Sequence, residues 1–280
     1  MYDLDKVVRL NLRDFVFYAK YLCSNERANN SILCNSFPKS GTHLLYQILM
    51  DIPGYSGWDD IVSVQSLSGF ANKKTHIRNK IGSAPRRSII RSHVAYDCEI
   101  KEFLQEREIK HLMIVRDLRD VCVSHANWVM NEPRIYLHKY YQSLENFDDR
   151  LMASIKGIVQ GVPMGSNVVH ADIGREFERW AGWVDDDSVL VLKFEDLVDR
   201  GSSNYILCVE AVYRHIGIEL DREEIIRRHV IEEKDPNMSH TYTKGLKKGA
   251  GAWKDYFNEQ HIIEFNKVAG DMMRKMGYGS

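Results

Sequence analysis

The chain has 280 residues, a formal net charge of -1 and 44% hydrophobic residues. That length suits one large α/β domain with a real core, and the near-neutral balance excludes a protein that grips nucleic acid over its whole surface. Any anion site must therefore be a local cluster of basic residues.

The five cysteines, Cys23, Cys34, Cys98, Cys122 and Cys208, form no CxxC pair and are odd in number, which speaks against a disulfide framework or a zinc site. Reduced, buried thiols in a cytoplasmic protein are expected. Charges interrupt residues 1–30 every few positions, so neither a signal peptide nor a membrane span is expected there. Val7, Leu10, Leu12, Phe15 and Tyr18 recur at helical spacing and predict a helical segment packed on the domain rather than on a membrane.

Apolar, β-branched runs predict strands at Ser31 to Phe37, Ser88 to Arg91, His111 to Val115 and Val189 to Phe194. Helical periodicity follows at Gly41 to Asp51, Arg119 to Met130, Arg175 to Val184, Ile206 to Ile216, Glu223 to Ile231 and Glu259 to Met276. Gly54 to Arg87 and Lys156 to Gly174 read as irregular. Strands alternating with helices predict a single α/β domain over residues 1–280, with a central parallel sheet flanked by helices and a P-loop-like nucleotide-binding architecture. Ligands of such sheets bind outside the carboxyl ends of the strands.

The first such end carries Cys34-Asn35-Ser36-Phe37-Pro38-Lys39-Ser40-Gly41-Thr42-His43, a strand, a tight turn and a helix start. Backbone N–H groups at a helix N-terminus receive anions, Gly41 permits close approach, and Lys39, Ser40 and Thr42 add charge and donors. The order is not that of a Walker A loop, because Lys39 precedes Gly41 by two residues. The next strand end, Val115-Arg116-Asp117-Leu118-Arg119-Asp120-Val121, places a planar guanidinium suited to phosphate at a strand terminus, with Ser124 eight positions on.

Pro-Lys-Ser-Gly-Thr resembles the 5′-phosphosulfate loop of the sulfotransferases that use 3′-phosphoadenosine-5′-phosphosulfate (PAPS). The resemblance runs from about Ile32 to Phe257. It implies a cytosolic-type or bacterial small-molecule sulfotransferase. Such an enzyme moves the sulfuryl group of PAPS in line onto a hydroxyl of a small acceptor, releases 3′-phosphoadenosine-5′-phosphate (PAP), and requires no metal. Arg116, Asp120, Val121 and Ser124 are similar to the family's 3′-phosphate motif, with Asp117 and Leu118 where Asn-Pro is common. Arg91-Ser92-His93 stands where the family has Lys-Thr-His, which makes His93 the implied general base and Arg91 the match to the family's lysine; imidazole titrates in the range this needs. His43, beside the phosphate loop, is the competing base.

Lys39 is expected to stabilise the leaving phosphate, with Ser124 coupled to it, and His43 joins the loop's cofactor contacts. Phe194 takes the place of a family tyrosine near the adenine, while His43 and Leu44 stand where the family has a tryptophan that holds that base. Lys247, Lys248 and Gly249 resemble the basic loop that closes over the 3′-phosphate, although one residue is missing between the glycines. Trp128 is the leading acceptor-pocket residue, ahead of Tyr136, Tyr140, Tyr141 and Phe147; Asp59, Asp60, Asp148 and Asp149 would suit a cationic acceptor. The resemblance carries no membrane or nucleic-acid partner, and no dimerisation motif of the animal members, so a monomer or homodimer is expected. A P-loop kinase or NTPase and a catalytically silent nucleotide binder are the alternatives.

Overall fold

Five short strands, four of them apolar runs, lie side by side in a computed structural model that describes residues 30–63, 73–158, 170–231 and 249–279. They are β1 (Ile32–Ser36), β2 (Ser56–Ser63), β3 (Ser88–His93), β4 (Lys110–Val115) and β5 (Val189–Lys193). All pairings are parallel and the order is β2-β3-β1-β4-β5. Parallel strands need crossovers that cover both faces of the sheet, and buried strands then lose their polar alternation. Residues of β1 accordingly serve two cores. Leu33 joins Val115, Phe177, Trp180 and Trp183 on one face, and Ile32 and Cys34 join Leu45, Leu49, Val209 and Tyr213 on the other.

The helices that form those layers are α1 (Thr42–Met50), α2 (Lys73–Gly82), α3 (Cys98–Glu106), α4 (Leu118–Asn131), α5 (His138–Ser143), α6 (Phe147–Lys156), α7 (Ile173–Val184), α8 (Phe194–Leu197), α9 (Ser203–Ile216), α10 (Arg222–Ile226) and α11 (Glu259–Lys275). Local side chains start several of them. Asp97, Asn146, Asp172, Ser202 and Asp221 each accept a bond from a backbone N–H in the first turn, worth about 1 kcal/mol apiece. The sheet reverses direction of growth at β1, which has β3 on one side and β4 on the other. That switch point is where an α/β sheet opens a crevice for a ligand.

Several expectations change. The stretch Gly54 to Arg87 is not irregular: it holds the edge strand β2 and α2. The two aspartates and a register shift between Trp58 and Val62 broke the strand's alternation. Phe194 begins α8 instead of ending β5, and the helix expected at Glu223 to Ile231 turns to π geometry over Arg227–Ile231. Of the lysine-to-glycine stretch at 156–174, Lys156 ends α6, Ile173 and Gly174 open α7, and residues 159–169 lie outside the described residues. The N-terminal helix, Cys23, Lys247 and Lys248 also lie outside them. Among the described residues Cys34 and Cys122 are buried thiols, Cys98 is exposed and Cys208 half-buried. No helix among the described residues is long and apolar enough to cross a membrane.

Candidate active site

β1 leaves the sheet through Phe37, and the chain turns sharply enough for the Ser40 N–H to return to the Phe37 carbonyl at 3.1 Å. Lys39 and Gly41 both adopt left-handed backbone, with φ of 71° and 111°. For lysine this costs on the order of 1 kcal/mol. At Gly41 no side chain fits, since a Cβ would lie 2.6 Å from the Phe194 ring. α1 then begins with no side-chain cap and no acidic residue in its first turn. Its opening N–H groups therefore face outward with the positive end of the helix dipole behind them. Ser40 is fully buried and its Oγ has no hydrogen-bond partner. A buried hydroxyl left unpaired costs about 1–3 kcal/mol, so this donor awaits an acceptor. Strained lysine, uncapped helix and orphan serine together fit a phosphate.

The end of β3 is fixed to the end of β1 by a buried amide. Asn35 donates to the Val94 carbonyl at 2.9 Å, and its Oδ1 accepts from Val94 N–H and Ser92 Oγ, both at 2.9 Å. This network places His93 against Ser36. The His93 Nδ1 lies 3.1 Å from the Ser36 carbonyl and 3.1 Å from the Ser36 Oγ, which shares a 2.5 Å bond with Thr42 Oγ1. A carbonyl can only accept, so Nδ1 carries the ring proton and Nε2 is left as the acceptor. Burial, offset in part by the Ser36 bond, lowers the His93 pKa to about 4, with the charges of His43 and Lys39 acting in the same direction as burial. The ring is thus neutral near pH 7 and able to take a proton.

Lys39 and Arg116 hold the remaining charge. The Lys39 Nζ lies 5.0 Å from the centre of the Trp128 ring and makes no ion pair among the described residues. Burial and then the nearby Arg116 charge lower its pKa to about 8. Arg116, at the end of β4, stacks on Phe194 at 4.2 Å, donates to the Gly249 carbonyl at 3.1 Å and approaches Asp120 at 3.7 Å. Burial lowers its pKa, against the attraction of Asp120, Glu195 and Asp117. Asp120 is buried and accepts from the N–H groups of Gly251 and Trp253, each at 2.8 Å, which ties the late loop to the first turn of α4. Burial raises the Asp120 pKa, opposed by Arg116.

Lys39, Ser40, Gly41, Thr42, His93 and Arg116 thus surround the carboxyl ends of three neighbouring strands, with Phe194 touching both Gly41 and Arg116. His43 follows on the first turn of α1. Gly249 meets Arg116 through its carbonyl. Ser124 is half-buried on α4, and no hydrogen bond joins it to Lys39 among the described residues; Trp128, one turn further along, occupies that place. Arg91 stacks on Tyr46 of α1 at 4.7 Å, two residues back along β3 from His93. Trp128 is 38% exposed, as a pocket wall requires.

Other candidates for the acceptor pocket have partners of their own. Tyr141 is fully buried core, and Asp148 is used to anchor α11, its carbonyl and carboxylate accepting from His261 and Asn258. Phe147 packs on Tyr256 at 5.5 Å. The side chains of Asp59 and Asp60 lie outside the described residues. Sequence reasoning missed Glu195, whose carboxylate accepts from the Asp117 N–H at 3.0 Å and the Tyr278 hydroxyl at 2.7 Å and so steadies the loop after Arg116. It also missed His125, adjacent to Ser124. Among the described residues no group of three or more His, Cys, Asp or Glu side chains could hold a metal ion.

Residues 29–277 match the family model described as a sulfotransferase domain. Among solved structures, mouse sulfotransferase SULT7A1 complexed with PAP aligns with a TM-score of 0.57 at 20% identity, over 88% of this chain and 84% of that one. Retinol dehydratase in complex with androsterone and inactive cofactor PAP gives 0.56 at 14% identity, over 93% and 85%. The same enzyme with retinol and PAP gives 0.52 at 15%, over 94% and 86%. At these identities the likeness is one of fold. No curated protein sequence matches the chain.

Proposed function

Because the chain belongs to the sulfotransferase domain family, we propose that it transfers the sulfuryl group of PAPS to a hydroxyl of a small acceptor, with His93 as general base. PAPS supplies the sulfuryl group and departs as PAP. The observation that carries this reading is the joining of two anion cradles at one switch point. One is Lys39, Ser40 and the uncapped start of α1; the other is Arg116 with Gly249. Phe194 lies between them.

In this scheme His93 Nε2 removes the acceptor proton as the acceptor oxygen bonds to sulfur and the bond from sulfur to the phosphate oxygen breaks. Lys39, Ser40 and Thr42 stabilise the charge that grows on that phosphate oxygen, and loss of one such donor typically slows an enzyme about 10²–10³-fold. Phosphate charge beside Lys39 also opposes the effect that lowers the His93 pKa, bringing the base closer to working pH. The neighbours' titles name PAP, androsterone and retinol as their own ligands. They support a nucleotide co-substrate and a small acceptor here. The activity is assigned to the general class of PAPS-dependent sulfotransferases, in a cytoplasmic setting.

The test is transfer of labelled sulfate from PAPS to a panel of hydroxylated compounds, alongside titration of PAP and ATP with and without magnesium. Tight PAP binding that ignores magnesium, together with label transfer, supports the proposal. Magnesium-dependent ATP turnover would replace it with a kinase or NTPase.

A further inference from the structure

Beside Lys39 the described residues place a second imidazole that the scheme above does not use. His125 lies on α4 between Ser124 and Trp128, its ring centre 6.2 Å from that of Trp128, over which Lys39 sits at 5.0 Å. His170 stacks on His125 at 5.4 Å, with the rings 15° from parallel, and the Tyr136 hydroxyl meets His170 Nδ1 at 3.2 Å. The Lys39 charge acts on His93 and His125 alike, so the two imidazoles border one ammonium.

Hydrogen-bond accounting decides which His125 nitrogen carries the proton. Tyr141 is fully buried, and its hydroxyl has one partner among the described residues, Ser154 Oγ at 2.9 Å. Ser154 Oγ in turn lies 3.0 Å from His125 Nδ1. Ser154 has a single hydroxyl proton. Were it given to Tyr141, the tyrosine's own proton would be left buried and unpaired, at about 1–3 kcal/mol. Every group is satisfied when Tyr141 donates to Ser154 and Ser154 donates to Nδ1. The ring proton then sits on Nε2, which bonds to no described residue and is not among the buried, unpartnered nitrogens. Burial holds the ring neutral, with a pKa of about 3. His93 and His125 thus have opposite tautomers: one presents an acceptor, the other a donor.

We infer that His125 selects the acceptor, donating from Nε2 to a second oxygen on a molecule whose first oxygen reacts at His93. The inference rests on the sulfuryl-transfer reading and names its substrate class. The acceptor is an aromatic alcohol, its ring against Trp128, that carries a carbonyl or other oxygen able to accept a hydrogen bond. A neutral donor of this kind disfavours an analogue lacking that oxygen, because the bound analogue covers the N–H and leaves it unpaired.

Two measurements on the full chain test it. The first is the histidine tautomer, read from ring nitrogen chemical shifts at pH 7. The second is kcat/KM with PAPS for matched phenols with and without the extra oxygen: para-hydroxyacetophenone against para-ethylphenol, and para-hydroxyphenylbutanone against para-butylphenol. Expected are a proton on Nε2 of His125 and a preference of about 3- to 10-fold for one ketone over its alkyl partner. His125→Phe brings that ratio to near one, while His125→Gln, which keeps an N–H at the Nε2 position, retains most of it. A proton on Nδ1, or a ketone preference that survives His125→Phe, overturns the inference. If neither phenol series is turned over although another hydroxylated compound accepts labelled sulfate from PAPS, the aromatic-alcohol inference fails and the sulfuryl-transfer reading stands; if no compound of the panel accepts it, that reading fails, and the tautomer with the relative affinities of the same pairs, followed by tryptophan fluorescence, decides whether His125 is a donor to ligands.

Discussion

Binding of PAP should draw a proton onto Lys39. In the free protein burial and the Arg116 charge hold this lysine at about 8, against an ordinary value of 10.5. A phosphate beside it supplies opposite charge and returns the pKa toward the ordinary range. The bound value exceeds the free one, so the gain from protonation is fully present below the free pKa and is lost as pH climbs toward the bound pKa. Uptake on binding is then about half a proton at pH 8 and about nine-tenths at pH 9, and PAP affinity falls about tenfold between pH 7 and pH 9. The second ionisation of phosphate, near pH 6, is essentially complete below this window. Calorimetric titration of PAP in buffers of contrasting ionisation enthalpy measures the uptake directly, with Lys39→Met as the control that abolishes it. A flat affinity from pH 7 to pH 9, or uptake that persists in Lys39→Met, would refute the placement of Lys39 against the phosphate.

His93→Gln should remove most turnover yet leave PAP affinity nearly intact, and steady-state rates beside a PAP titration check both halves. Arg116→Ala should weaken PAP about 10- to 150-fold, the worth of a charge-assisted bond, while scarcely changing adenosine 5′-phosphosulfate, which lacks the 3′-phosphate; equal losses for the two ligands would contradict the assignment. Acid should unfold the protein early. Burial holds His93 at about 4 and both His111 and His125 at about 3, below the 6.5 of an unfolded chain. The unfolded state therefore binds more protons, and stability present above pH 6.5 falls with pH by up to about 4 kcal/mol per unit down to pH 4. Urea midpoints at successive pH values measure this slope, and His111→Phe should lessen it by about a third. His111 suits that control because both its ring nitrogens lack partners and its ring sits 4.4 Å from Trp183, far from the phosphate loop.

Four of the strands, the parallel arrangement and the residues that gather at the strand ends were legible because each rests on a local pattern: an apolar run, a turn that needs glycine, a basic residue at a strand end. β2 was not, since Asp59 and Asp60 interrupt it and its pairing partner Ser88–His93 lies some way along the chain. α3 and α6 were missed although Asp97 and Asn146 are ordinary helix-starting residues; their short apolar stripes were hidden among charges. His125 and Glu195 had no signal of their own. Their roles come from partners far away in sequence, Ser154 at a separation of 29 residues for the first and Asp117 at 78 for the second. Where the resemblance implies a bond between Lys39 and Ser124, the ammonium lies over the ring of Trp128, a turn further along α4, a contact that depends on the fold and has no local signal.

The all-parallel sheet has a kinetic corollary. Every neighbour of β1 is a distant one: Ile32 is paired with Ile89 on one side and with Lys110 on the other. Chain entropy must be surrendered for both loops before either pairing repays it, which makes such sheets slow to assemble. The phosphate turn stands on the central strand, and its two companions arrive on the flanking ones. The proposed nucleotide site is therefore complete only when all three strands are paired, and PAP should stabilise that last state alone. PAP in the refolding buffer should slow unfolding without hastening the search that precedes it.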